Sequence, residues 1–147
     1  MVQALPKRTT FDQFIDWYPE SSECRYELRR GVIIETPKPR GKHSEIAGFV
    51  LKQLNNAIDE AQKCYFTPKE CIVKTDDDTG FEPDVTILDR ASLANEPRWE
   101  SSSVIEHGSS VVLAVEVVST NWKDDYSVKV VDYEAIGIPE YWVVGAT

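Results

Sequence analysis

Apolar and polar positions change period several times along this chain, and each change marks an element. Thr10, followed three residues later by Gln13, forms a capping-box pattern ahead of Phe11, Phe14, Ile15 and Trp17, which predicts a short N-terminal helix. RYEL and VIIET flank Arg29-Arg30-Gly31, whose glycine suits the positive φ of a hairpin turn. A loop with Pro37 and Pro39 leads to Lys42. From His43 to Ile58 the apolar positions Ile46, Ala47, Val50, Leu51, Leu54 and Ile58 recur at helical spacing, within roughly 140° of arc at 100° per residue. His43 falls on the inward edge of that helix; Glu45 faces water. Strands are predicted at CYF, at ECIVK and from Asp84 to Leu88, the last two separated by the turn Asp76 to Gly80, whose acidic run lacks calcium-loop spacing. Residues 89 to 109 carry no clear period. An apolar strand around LAVEVV follows, then a helix from about Lys123 to Ile136 stopped by Gly137 and Pro139, then the strand YWVV. The order predicts an α/β (α+β) fold with helices on a mixed sheet.

Composition narrows the classes. A chain of 147 residues suits one domain, burying roughly two thirds of the surface its unfolded form exposes. No apolar run approaches the roughly 20 residues of a membrane span, and MVQALPKRTT lacks a signal-peptide core, so a cytoplasmic protein without membrane contact is expected. Cys24, Cys64 and Cys71 include no C-x-x-C pair, which excludes a zinc knuckle and a closed disulfide framework. The net charge of −9 argues against a general nucleic-acid coat protein. Locally, though, Arg25, Arg29, Arg30, Lys38, Arg40 and Lys42 outnumber Glu27 and Glu35. That stretch reads either as a solvated loop or as a surface for phosphates.

One residue contradicts its surroundings. Leu113, Ala114, Val115, Val117 and Val118 form a strand apolar on both faces, yet Glu116 sits among them. A carboxylate there needs a partner, whether a buried cation, backbone amides or a metal. Asp84 opens a strand directly after Pro83, and whether it shares a face with Glu116 depends on a pairing register that parity cannot supply. Lys129 lies on the last helix at about 40° from Asp125, between the apolar flanks Val128, Val131, Ala135 and Tyr126, Val130, Tyr133, so it points away from solvent. Asp125, one turn earlier, is placed to pair with it. Two carboxylates can hold a hard divalent cation with room for waters and a phosphate, and an ammonium can steer a nucleophile or meet charge developing on phosphorus.

These residues resemble a known family. Pro83-Asp84, Glu116 in VEVVS, the D-x3-K-x3-Y of Asp125, Lys129 and Tyr133, and GIPEYW from Gly137 to Trp142 are similar to the Uma2 (DUF820) family of the PD-(D/E)xK, restriction-endonuclease-like nucleases. The likeness runs from Arg25-Tyr26-Glu27-Leu28 and Gly31 through His43 to Trp142, as one domain over residues 1–147. It implies a helix, three strands, helix and strand core, Asp84 and Glu116 as ligands of Mg²⁺ or Mn²⁺, and DNA as substrate. The superfamily's usual lysine position, two residues after the glutamate, is Val118 here, and the implied replacement is Lys129. The first core helix often adds an acidic residue; Glu45 faces the wrong way, so His43 is the additional candidate. Arg29, Arg30, Arg40 and Lys42 are the candidate phosphate contacts. Similar chains continue past YWVV, so a copy shortened at the C-terminus is expected, and a homodimer is an open expectation. The other class is a catalytically inactive nuclease-fold module that binds DNA or a protein partner.

Overall fold

A computed structural model describes residues 8–20, 23–118 and 123–145, without the side chains of 123–125. The expected pair of Asp125 with Lys129 and the Ala146-Thr147 end lie outside the described residues. The elements are α1 (Phe11–Trp17), β1 (Cys24–Arg29), β2 (Val32–Pro37), α2 (Lys42–Ala61), β3 (Tyr65–Phe66), β4 (Ile72–Asp76), β5 (Thr79–Phe81), β6 (Val85–Asp89), α3 (Trp99–Ser102), β7 (Val104–Ile105), β8 (Val111–Val118), α4 (Lys123–Ala135) and β9 (Tyr141–Gly145). They build two mixed sheets, of strand order β2-β1-β5-β4-β7 and β3-β6-β8-β9. The expected mixed sheet flanked by helices is present, divided in two.

Local signals explain the joints. Thr10 Oγ1 accepts from the Gln13 amide at 3.2 Å and Gln13 Oε1 accepts from the Thr10 amide at 3.0 Å, closing the capping box that starts α1 and seats Phe11 and Phe14 in the core. Arg30 and Gly31 both take positive φ, +49° and +83°, giving the two-residue turn that pairs Arg29 with Val32. Helix α2 lays Ala47, Val50, Leu54 and Ile58 on one face of the second sheet, over Val85, Ile87, Leu113 and Val115. The opposite face of β8 carries Ala114, which joins a core with Val73, Phe81, Ile105 and Tyr133 of α4. Strand β8 is covered on both sides, which is why its sequence is apolar at every position but Glu116. Glu116 shares the parity of Ala114 and so faces α4.

The segment without periodicity has its own order. Between β6 and β8 run a 3₁₀ turn (Arg90–Asn95), α3 and β7, gathered around Glu96. That side chain is fully buried; it accepts from the Glu106 amide at 2.6 Å, the His107 amide at 3.2 Å and Ser110 Oγ at 2.6 Å. Removing the carboxylate leaves these donors unsatisfied, so Glu96→Ala should cost about 2–3 kcal/mol. Urea unfolding checks it: the midpoint falls at unchanged slope, whereas an unmoved midpoint contradicts the assignment.

Candidate active site

Asp84 and Glu116 are brought together by the sheet. Strands β6 and β8 pair antiparallel, with Val85 opposite Val115, Thr86 opposite Ala114 and Ile87 opposite Leu113. Continuing that register by one residue sets Asp84 opposite Glu116, on one face, at the roughly 4.5–5.5 Å spacing of cross-strand neighbours. Asp84 also reaches across the ladder: its Oδ2 accepts from the Val117 amide at 2.7 Å. The register that parity left open is therefore the one that makes a carboxylate pair.

Lys129 completes the group from the far side. Its Nζ donates to Glu116 Oε1 at 3.0 Å and to Glu27 Oε1 at 2.9 Å, and the lysine is only 6% exposed. Glu27 in turn accepts from Arg29 Nη2 on its other oxygen at 2.8 Å. The ring of Phe81 lies under both cations, 5.3 Å from Lys129 Nζ and 5.9 Å from the Arg29 guanidinium carbon. Only one of the two apolar flanks expected beside Lys129 turns inward. Tyr126, Val130 and Tyr133 do, while Val128 and Val131 are 45% and 63% exposed. Asp132, not foreseen, fills the other inward edge.

The electrostatics follow from one ammonium serving two carboxylates. The Glu116 carboxyl is raised to about 7: burial is the largest cause, Lys129 pulls it down, and the Asp84 and Glu27 charges push it up. For Lys129 burial opposes the charge, but Glu116 and Glu27 outweigh it, so its pKa rises and it stays an ammonium. Burial also raises Tyr141, which lines the cavity beside Tyr126 as a neutral phenol.

These groups line a cavity of about 240 Å³ together with Thr36, Pro37, Lys38 and Pro39. His43 reaches it from the first turn of α2, and its Nε2 is buried with no hydrogen-bond partner among the described residues. Glu45 is exposed, as expected. The candidate phosphate contacts divide. Arg29 lines the cavity. Arg40 and Lys42 are exposed on the approach to α2. Arg30 does not join them, because it donates to Asp132 at 2.8 Å and to Thr79 at 3.0 Å beside a separate cleft with Val128 and Val131. Sequence reasoning placed Arg25 and Lys38 in the basic stretch toward phosphates, not beside the carboxylates, and did not single out Glu27 for the site. Glu27 carried no signal like that of Glu116, because its strand β1 reads CRYELR and alternates charged residues with Tyr26 and Leu28.

Two carboxylates side by side fit Mg²⁺ or Mn²⁺, hard cations that take one or two carboxylates and complete their shell with waters and phosphate oxygens. No group of three or more His, Cys, Asp or Glu is placed to hold a metal among the described residues. Any such ion would complete its shell with oxygens beyond these two side chains.

The architecture matches a fold already seen in a crystal structure. A crystal structure of a putative nuclease belonging to DUF820, from Anabaena variabilis, superposes with a TM-score of 0.70 at 20% identity, over 92% of this chain and 73% of that one. The chain belongs to the Uma2 family, described as putative restriction endonuclease, whose model matches residues 11–146. No curated protein matches it. No helix of the described residues is long and apolar enough to cross a membrane.

Proposed function

We propose that the protein is a Mg²⁺- or Mn²⁺-dependent endonuclease that hydrolyses DNA phosphodiester bonds, with Asp84 and Glu116 as the metal ligands. The observation that carries this reading is that Asp84 and Glu116 line one cavity, with Lys129 Nζ 3.0 Å from Glu116. A bound divalent cation would supply charge for the phosphoryl oxygens and lower the pKa of a water. The residues do the rest. Lys129, held by Glu27 and Glu116, keeps its proton and directs an ammonium at the reacting oxygens. His43 Nε2 offers a buried polar atom to a phosphate oxygen or the hydrolytic water. The exposed Lys38, Arg40 and Lys42 meet neighbouring phosphates and set the register of the strand. The domain comprises the whole chain, and residues 1–147 act as one unit.

The second reading, a nuclease-fold module that binds DNA or protein without cutting, is favoured by one contact. Arg25 Nη2 donates to Asp84 Oδ1 at 3.0 Å, on the oxygen a metal would use. Supercoiled plasmid with Mn²⁺ separates the two. The wild type should convert it to nicked and linear forms, EDTA should stop this, and Asp84→Asn should reduce it at least about a hundredfold. Plasmid left intact by a wild type that also gives no Mn²⁺ binding heat rejects the enzyme reading.

A further inference from the structure

Arg25 stands in the wall between two clefts. In front is the cavity of Asp84 and Glu116; behind is a cleft of about 490 Å³ that reaches Tyr18, Glu70 and Glu82, and Arg25 and Lys38 line both. The guanidinium is 20% exposed and donates from Nη2 to Asp84 Oδ1. Burial works against its charge, and Asp84, Glu82 and Glu116 together overcome that and raise its pKa, with Asp84 the strongest and Glu82 next. Its Nε is buried with no hydrogen-bond partner among the described residues, so the present pose leaves a donor unused. Glu82 is 6% exposed and accepts from Tyr18 Oη at 3.2 Å on Oε2 alone among the described residues, leaving Oε1 for another donor.

Charge balance points the same way. In front, the carboxylates Asp84, Glu116 and Glu27 are matched by Arg25, Arg29 and Lys129. A divalent cation adds two positive charges, of which a phosphodiester removes one. Moving Arg25 from Asp84 to Glu82 would remove the other from the front cavity, and it would free Asp84 Oδ1 to bind the ion. A buried carboxylate behind the wall is the partner such a movement requires, since an arginine turned into an apolar cleft would lose its charge compensation.

We infer that Arg25 is the built-in occupant of the cation position on Asp84, and that Glu82 is the positioning residue that receives its guanidinium when a divalent cation binds. The inference rests on the reading of Asp84 and Glu116 as metal ligands. It assigns Glu82 a part in loading the site although Glu82 does not line the cavity.

A double-mutant cycle read by Mn²⁺ calorimetry tests it. Arg25→Gln should bind Mn²⁺ about tenfold more tightly than wild type, and Glu82→Gln about tenfold more weakly, because the displaced guanidinium then loses the buried carboxylate that receives it. In the Arg25→Gln background, Glu82→Gln should have no effect. Equal weakening by Glu82→Gln in both backgrounds, or no tightening in Arg25→Gln, overturns the exchange and leaves the metal site standing. No binding heat in any of the four folded proteins overturns the metal site itself. Wild-type protein gives an independent reading if a variant fails to fold. The Arg25 Nε–H resonance should shift on saturating Mg²⁺ and stay fixed in Asp84→Asn; a resonance unmoved while calorimetry shows binding rejects the exchange.

Discussion

Lys129→Ala should unfold about 3–5 kcal/mol more easily than wild type at pH 8, because it leaves Glu27 and Glu116 buried without their shared cation. Both carboxylates are under 12% exposed at the side chain, so solvent does little to screen them. The pH dependence identifies the cause. Burial already holds the Glu116 carboxyl at about 7, above the usual carboxylate range, so its contribution to stability is fully present below the unfolded pKa and is lost as pH rises through the folded one. Taking away Lys129 removes the attraction that lowers this pKa, and the loss at high pH grows. The deficit of the variant should therefore shrink as pH falls from 8 toward 5, where Glu116 takes up a proton. Urea titrations at the two pH values measure it. A deficit equal at both, or below about 1 kcal/mol at pH 8, would mean that the triad is not what Lys129 stabilises.

How much of this was legible in the sequence depends on how local each signal is. The capping box at Thr10, the α2 positions Ala47, Val50, Leu54 and Ile58 and the doubly covered β8 read correctly, since each rests on a period or a short-range bond, whereas Leu51, expected on the same α2 face, is exposed. Residues 89 to 109 did not, because their organiser is the single buried carboxylate of Glu96, which binds backbone amides ten and eleven positions away and leaves no period. Helix α4 was half legible. Its wheel aimed Lys129 inward, but an apolar flank and a buried one are different things: Val131 faces solvent and Asp132 is buried against Arg30. The carboxylate pair itself depends on a strand register fixed only by tertiary pairing, so the sequence could nominate Asp84 and Glu116 without placing them together. Glu27 lay furthest from sight, its partner Lys129 being 102 positions away.

Glu116→Gln is the variant in which function and stability should move in opposite directions. Losing one of the two proposed anionic ligands should abolish detectable Mn²⁺ binding and lower metal-dependent DNA cutting by at least about two orders of magnitude. Folding should not suffer. The wild-type carboxylate is buried and pushed up to about 7 by that burial and by the charges of Asp84 and Glu27, so its ionised form works against the fold at neutral pH. An amide of the same shape keeps an oxygen for Lys129 Nζ, offers N–H groups toward the neighbouring Asp84, and no longer repels Glu27. The melting temperature at pH 8 should equal or exceed that of wild type. This contrast distinguishes a functional carboxylate from a structural one, for a Glu116 whose purpose was to neutralise Lys129 would leave the lysine undercompensated when replaced and lower the melting temperature. A destabilised Glu116→Gln that retained Mn²⁺ binding would therefore remove the residue from the metal site and make it the structural counterion of Lys129.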